Sequence, residues 1–135
     1  MTTLNTRRMA GVGALLLVTG VALGASPAKV AAPRPTPELV AKGKVAYTNT
    51  CAVCHGEKGD GNGVAGASLN PKPRDLRVKD LKVGAHYKNG GKPEQLFKTI
   101  SEGLPGTAMV SFGAQSEEDR WAMVYYIQQT FQGVK

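Results

Sequence analysis

Three stretches of the chain place apolar residues at helical spacing. In the first stretch, the residues that share one helical face are Leu39, Val40, Gly43 and Tyr47. Thr36 can cap this helix, Pro37 suits its first position, and Glu38 lies where the helix dipole favours an anion. The pattern predicts a helix from Pro37 to about Thr50.

The other two stretches lie in the second half of the chain. One opens at Pro93 and runs through Ser101, and Gly103 follows it as a candidate C-cap. The other begins with Ser116 and three acidic residues, which together form a near capping box. The apolar positions of these helices are Leu96, Phe97 and Ile100 in the first, and Trp121, Val124, Tyr125, Ile127 and Phe131 in the second.

Long loops rich in glycine and proline separate the predicted helices. Residues 56–66 contain five glycines, residues 69–76 contain Pro71 and Pro73, and residues 104–113 form a third loop. No alternating apolar pattern is long enough to predict a strand. We therefore expect an all-α fold of about three main helices and long loops. Because such loops bury little apolar surface, something besides the chain should fill the middle.

The N-terminal segment indicates export. Two arginines precede an apolar run, and small residues with a proline follow it, as in a secretory signal peptide covering residues 1–28. The apolar run also reaches the roughly 17 residues that can span a bilayer, so an uncleaved anchor is the alternative. We expect residues 29–36 to form a proline-rich linker, residues 37–135 to form the single domain, and the mature protein to reside in the periplasm.

The chain is basic, with 17 Lys and Arg against 10 Asp and Glu in 135 residues. A basic balance raises the question of nucleic acid binding. Export and the scattered positions of the basic residues argue against nucleic acid. We expect instead a protein partner with an acidic docking surface, for which charge mainly sets the encounter rate.

Both cysteines of the chain belong to one short motif. Cys51 and Cys54 lie three residues apart, and His55 follows directly. Cys-x-x-Cys-His is the attachment motif for c-type haem. Thiols at this spacing lie on one side of a helical turn, where they can add to the two vinyl groups of a porphyrin. His55 is then delivered to the iron, and one covalent haem c supplies the missing core.

Three other interpretations explain the motif less well. A redox-active thiol pair normally sits at a helix start after a strand, in an alternating pattern that this sequence lacks. A zinc site needs four ligands, and His86 is the only further candidate, without the usual spacing. A disulfide between Cys51 and Cys54 would close a very small loop and constrain the unfolded chain little.

The second axial ligand must come from elsewhere in the mature chain. The candidates are Met109, Met123 and His86. Met109 lies in a loop with small residues beside it, which leaves room for a ring, whereas Met123 lies inside the last helix, where methionine is more often core. We expect His55 and Met109 as the axial ligands. His86 is the alternative, and two histidines would lower the reduction potential.

The motifs CAVCHG, GDGNG and LPGTAM occur in this order, and a helix with Trp121 and Tyr125 follows them. Over about residues 36–131 the chain resembles the class I c-type cytochromes of the bacterial monohaem kind. The resemblance implies that the first and last helices pack across each other, with Gly43 and Tyr47 meeting Tyr125.

The resemblance also implies the surroundings of the haem. A backbone carbonyl of the loop that holds Pro71 and Pro73 would accept a hydrogen bond from the free nitrogen of the proximal histidine. Trp121 would pack against the haem or one of its propionates. Members of the family often have a proline after the ligand methionine. This chain has Val110 there, so the bond from Met109 to iron is expected to be replaced more easily.

These features favour a one-electron carrier over an enzyme. The sequence shows no carboxylate pair, no nucleophile with a base and no phosphate-binding loop. With both axial positions filled, nothing binds a substrate, and a diffusing carrier is expected to be a monomer that meets redox proteins. Two alternatives are a haem peroxidase or gas-binding sensor with a labile sixth ligand, and a membrane-tethered cytochrome subunit of a larger respiratory oxidoreductase.

Overall fold

The computed structural model describes residues 32–78 and 92–134. The described helices are α1 (Pro37–Thr50), α2 (Ala52–His55), α3 (Pro93–Glu102) and α4 (Glu117–Thr130), with one 3₁₀ turn at Gly66–Ser68. These two segments contain no strand, and none of their helices is long and apolar enough to cross a membrane. The all-α prediction is confirmed. The predicted signal segment 1–28 and His86 lie outside the described residues.

The helix ends follow from local sequence signals. The Thr36 hydroxyl accepts a hydrogen bond from the Leu39 amide at 3.2 Å, and the Ser116 hydroxyl accepts one from the Asp119 amide at 3.0 Å. Each contact satisfies an amide that has no partner inside its helix. Gly103 ends α3 with a φ of 72°, a conformation that favours glycine. The three predicted helices are therefore confirmed, and α3 extends one residue further than predicted.

Ser116 gives a first test of this local stability. We expect Ser116→Ala to lower the free energy of unfolding by about 1 kcal/mol, because the amide of Asp119 loses its acceptor. Ser68→Ala, at an exposed serine outside the α-helices, is the control. Denaturant unfolding of both variants measures the difference. Equal stabilities would contradict the capping role.

The same cap affects a nearby acid. The Ser116 hydroxyl first, and the Lys42 ammonium second, hold the pKa of Asp119 below its usual value of 3.8. A carboxyl whose pKa is lower in the folded state stabilises the fold above its unfolded pKa. We therefore expect this contribution to be present above about pH 4 and lost as the pH falls through the lower folded pKa.

The core forms where α1 packs against α4. A Cβ atom at Gly43 would lie 2.0 Å from the Ala122 carbonyl oxygen and 2.9 Å from the Tyr126 Cβ atom, so the helices touch backbone to backbone. The rings of Tyr47 and Tyr126 lie 5.3 Å apart. Every residue of α4 from Trp121 to Gln128 is buried. The central part of α4 is thus covered on all sides and forms the centre of the core.

The tyrosine at this crossing differs from the predicted one. Tyr126, rather than Tyr125, contacts Gly43 and Tyr47. Tyr125 lies on another face of α4, where its ring stacks on Trp121 and its hydroxyl donates a hydrogen bond to a backbone carbonyl of the linker. Because the central positions of α4 are buried all round, its sequence pattern does not define which face meets α1.

Candidate functional site

A cavity of about 490 Å³ lies beside α2, within the size range of ligand and cofactor sites. Its walls are formed by Thr50, Cys51, Val53, Cys54 and His55 around α2, by Leu69, Pro71, Lys72, Pro73, Arg74 and Leu76 of the proline loop, by Leu96, Thr99 and Ile100 of α3, by Leu104, Thr107, Ala108, Met109, Val110 and Phe112, and by Ile127 of α4. Two thiols, one imidazole and one thioether therefore share a largely apolar enclosure that is built from distant parts of the chain.

The α2 turn that carries the thiols is held by the glycine-rich loop. The Gly63 amide donates to the Cys54 carbonyl at 3.1 Å, and the Gly61 amide donates to the His55 carbonyl at 2.8 Å. A Cβ atom at Gly63 would lie only 2.4 Å from the Val53 carbonyl oxygen, so this close approach requires glycine. The glycine-rich loop therefore packs directly against the turn that carries the thiols.

A buried tyrosine links this turn to the α1–α4 core. Tyr47 is 1% exposed, and its hydroxyl donates to the Gly56 carbonyl at 2.7 Å. Gly56 follows His55 directly. The same tyrosine that packs against α4 therefore fixes the end of the motif, because a buried hydroxyl holds its partner firmly.

His55 is oriented by a backbone carbonyl. Its Nδ1 atom lies 3.1 Å from the carbonyl oxygen of Arg74, which can only accept, so Nδ1 carries the hydrogen. Burial lowers the pKa of His55, against the smaller opposing effect of this hydrogen bond. A neutral imidazole with its proton on Nδ1 leaves the Nε2 lone pair for a metal. The carbonyl expected from the loop that holds Pro71 and Pro73 therefore belongs to Arg74.

Cys51 and Cys54 are both free thiols and both half-buried. Cys51 Sγ lies 3.4 Å from the Thr50 hydroxyl and 3.7 Å from Met123 Sδ. Burial raises the pKa of the Cys51 thiol, and the hydrogen bond with Thr50 opposes this effect. Met123 is fully buried in α4, in agreement with its interpretation as core.

Met109 lies in a loop that folds back on α3. The Leu104 amide donates to the Met109 carbonyl at 3.0 Å, and the Met109 amide donates to the Thr107 hydroxyl at 3.1 Å. Met109 is half-buried at the cavity wall, whereas Val110 is 65% exposed. The loop thus holds the methionine backbone without the proline that often follows it.

The wall of the cavity suits a haem. It is apolar over most of its residues, it brings the donor set of two thiols, one imidazole and one thioether together, and Lys72 and Arg74 supply positive charge for carboxylates. Thr99 Oγ1 is buried in this wall without a hydrogen-bond partner in the described segments, as expected where a polar group of a ligand would lie. Across residues 32–78 and 92–134, no cluster of three His, Cys, Asp or Glu could hold a bare metal ion.

Trp121 is not among the described residues that line the cavity. Its ring stacks on Phe97 with the centroids 4.2 Å apart, and its indole N–H donates to Glu117 at 3.3 Å. The structure therefore packs Trp121 of α4 against Phe97 of α3, and its contact with the haem or a propionate stays a prediction. The resemblance alone could not reveal that Trp121 stacks on Phe97.

The sequence predicted a loop carbonyl beside His55 without identifying Arg74. It also did not single out the Thr99 hydroxyl or the Ile127 side chain, which are among the residues that line the cavity. Ile127 carried a signal, because it belongs to the apolar set of α4. A carbonyl carries no side-chain signal, and a threonine inside a helix is too common to single out.

Comparisons with known proteins agree with this geometry. The sequence profile of the family described as Cytochrome c matches residues 40–131. A chain of the reducing HAO-like protein complex of Kuenenia stuttgartiensis is similar, with 28% identity, a TM-score of 0.65, and coverage of 76% of this chain and 48% of that chain. No curated protein matches.

A second solved structure shows the same fold. Cytochrome cL from the marine methylotrophic bacterium Methylophaga aminisulfidivorans is 17% identical, with a TM-score of 0.53 over 70% of this chain and 56% of that chain. This chain therefore spans about half the length of each of these two structures. The profile match covers most of the domain and includes the Cys-x-x-Cys-His spacing of Cys51, Cys54 and His55. The chain belongs to the cytochrome c family as a class I c-type cytochrome, with a covalently attached c-type haem.

Proposed function

We propose that this protein is an exported one-electron carrier whose haem is anchored by Cys51 and Cys54 and bound axially by His55 and Met109. The observation that carries the proposal is the cavity that gathers all four side chains, the first three from α2 and the residue before it, and the fourth from the loop after α3. Bound haem supplies an iron that takes up or releases one electron between its ferric and ferrous forms.

The residues of the chain have separate tasks in this proposal. The two cysteines attach the haem covalently. The Arg74 carbonyl keeps the proton of His55 on Nδ1, so that the lone pair is on Nε2. Met109 occupies the remaining axial position, so no substrate binds there. The apolar side chains of Leu96, Ile100 and Phe112 exclude water from the cavity. Less solvent then has to rearrange when the haem gains or loses an electron.

The wider organisation follows from the sequence. Residues 1–28 serve export or anchoring, residues 29–36 link them to the domain, and residues 37–135 form the haem-binding unit in the periplasm. The excess of basic residues favours redox partners with acidic docking surfaces. A monomer suits a carrier that must dissociate quickly from each partner.

One comparison supports a second candidate function. The similar chain from Kuenenia stuttgartiensis is part of a reducing HAO-like protein complex. By analogy, this chain would act as a fixed electron-transfer subunit of a larger redox assembly. Size-exclusion chromatography of the protein from its native membranes and periplasm separates the candidates: a free monomer supports the carrier, and co-elution with a stoichiometric partner supports the subunit.

Absorption spectra test the proposed ligation. We expect wild-type protein to show sharp reduced bands that carbon monoxide does not shift, together with the long-wavelength ferric band of a sulfur-to-iron bond. Met109→Ala should lose this band and bind carbon monoxide, because the sixth position opens. Met123→Leu is the matched control, since Met123 is buried in α4 outside the described cavity wall, and it should keep the band.

Two outcomes would contradict the proposal. An unchanged spectrum in Met109→Ala would show that another residue, such as His86, binds the iron. Ready binding of carbon monoxide to the wild type would favour a gas-binding sensor or peroxidase, for which the exposed Val110 beside Met109 offers an easily opened loop.

A further inference from the structure

The Thr99 hydroxyl is a buried polar group with no function assigned so far. Thr99 is 4% exposed, and Oγ1 has no hydrogen-bond partner within residues 32–78 and 92–134. Its neighbours in the cavity wall, Leu96 and Ile100, are apolar. Leaving a buried hydroxyl unsatisfied costs about 1–3 kcal/mol. Valine has nearly the same shape and would avoid this cost, so the hydroxyl should have a partner that comes with the haem.

Thr99 also lacks the local bond that other hydroxyls in these helices make. The Thr50 hydroxyl donates to the Ala46 carbonyl at 2.6 Å, and the Ser101 hydroxyl donates to the Phe97 carbonyl at 2.7 Å, each one turn back. Such back-bonding is the usual solution for a hydroxyl inside a helix. Because Thr99 does not use it, its proton is available to a group inside the cavity.

Thr99 and Met109 both belong to the cavity wall, Thr99 from α3 and Met109 from the loop that follows this helix. The loop after α3 returns to this helix, since the Phe112 amide donates to the Ile100 carbonyl at 3.0 Å, directly next to Thr99. Both Thr99 and Met109 line the cavity. No direct hydrogen bond joins them, because Thr99 Oγ1 has no partner in the described segments. A single water could join them, since it needs only two to four polar neighbours.

A second unsatisfied atom lies one turn away on α3. Gln95 Oε1 is also buried without a partner in the described segments, four residues before Thr99. Side chains at this spacing are neighbours on a helix surface. Gln95 is not among the described residues that line the cavity, so the water that serves Thr99 would accept from its hydroxyl and donate to the Met109 sulfur, a weak acceptor.

The geometry points to Thr99 as a positioning residue that, through one buried water, donates a hydrogen bond to the Met109 sulfur and raises the reduction potential of the haem. The inference rests on the proposed His55 and Met109 ligation. A hydrogen bond withdraws electron density from the thioether, so the sulfur donates less to the iron and the ferrous form is favoured. Hydrogen bonding around axial ligands is one of the means by which a protein sets a haem potential.

The test is the midpoint potential of the haem-loaded protein and its variants. We expect Thr99→Val to reduce the equilibrium constant for one-electron reduction about two- to tenfold, the range of a net hydrogen bond. Tenfold corresponds to about 59 mV. Thr99→Ser keeps the hydroxyl and should restore most of the wild-type potential. Thr130→Val, at an exposed position of α4, should leave the potential unchanged.

Three results would overturn the inference. Wild-type potentials in Thr99→Val would show that the hydroxyl has no tuning role. A shift that titrates with a carboxyl group would identify a haem propionate as the partner. A shift of the same size in a Met109→Ala background would exclude the sulfur. The ferric sulfur-to-iron band separates this failure from that of the proposed function: if the band is present while the potential is insensitive to Thr99, the ligation stands and only the inference about Thr99 fails.

Discussion

Replacing both Cys51 and Cys54 by alanine is expected to leave the domain largely unfolded at 25 °C. The cavity between the helices measures about 490 Å³. Without haem, the apolar walls of this half-open space face water and lose the contacts that the haem would make with them. A typical domain is stable by only about 5–15 kcal/mol, so the loss of this part of the core removes much of that stability. Without the covalent group, the described helices should lose their cooperative packing.

Circular dichroism and denaturant unfolding measure this effect. The wild-type sequence produced without haem attachment should behave like the double variant, which separates loss of haem from loss of the thiols. Cys54→Ala keeps one possible thioether at Cys51 and should retain most of the helix signal when haem is attached. A double variant that unfolds cooperatively with full helix content would show that the polypeptide core is sufficient on its own.

The helix ends and the haem-attachment motif could be predicted from the sequence, because both depend on residues that are close together in the chain. Thr36, Gly103 and Ser116 act on amides or backbone angles within a few residues, so their patterns predict helix ends directly. The haem motif is also local, since its chemistry requires two thiols and an imidazole on one turn. Met109 was singled out because it lies in a loop with small residues beside it, and the structure brings it to the same cavity as the motif.

Other features depend on how the helices rotate against each other. Tyr125 was expected at the helix crossing, yet the structure stacks its ring on Trp121, which in turn stacks on Phe97. The central part of α4, from Trp121 to Gln128, is buried at every position, so no polar face there fixes its rotation. The choice of the Arg74 carbonyl as the partner of His55 could not be predicted for a different reason, because every residue carries a backbone carbonyl.

The α1–α4 crossing also controls the site at a distance. Tyr47 packs against Tyr126 and Phe131, with ring centroids 5.3 Å and 5.2 Å away, and its hydroxyl holds the carbonyl of Gly56. A shift of α1 relative to α4 would therefore pull on the residue that follows His55. Tyr47 therefore links the packing of α1 on α4 to the position of the His55 imidazole.

Gly43→Ala is expected to destabilise the haem-loaded protein by about 3 kcal/mol, at the upper end of the usual cost of overpacking. The new methyl group would lie 2.0 Å from the Ala122 carbonyl oxygen and 2.5 Å from its carbonyl carbon, and backbone atoms cannot rotate away. Alanine favours a helix over glycine by only about 1 kcal/mol, which offsets part of this cost. Denaturant unfolding monitored by haem absorption measures the loss.

Gly133→Ala provides the matched control for this crossing. Gly133 has a φ of 63°, and no described atom lies within 4 Å of the point where its Cβ atom would be, so this change introduces backbone strain without a steric clash. Its cost should be about 1–2 kcal/mol. Because α1 must move away from α4 in Gly43→Ala, we also expect the hydrogen bond from the Tyr47 hydroxyl to the Gly56 carbonyl to weaken. The haem absorption bands should then shift in Gly43→Ala but not in Gly133→Ala. Equal stability losses in the two variants, with identical spectra, would show that the close helix contact is not what requires glycine.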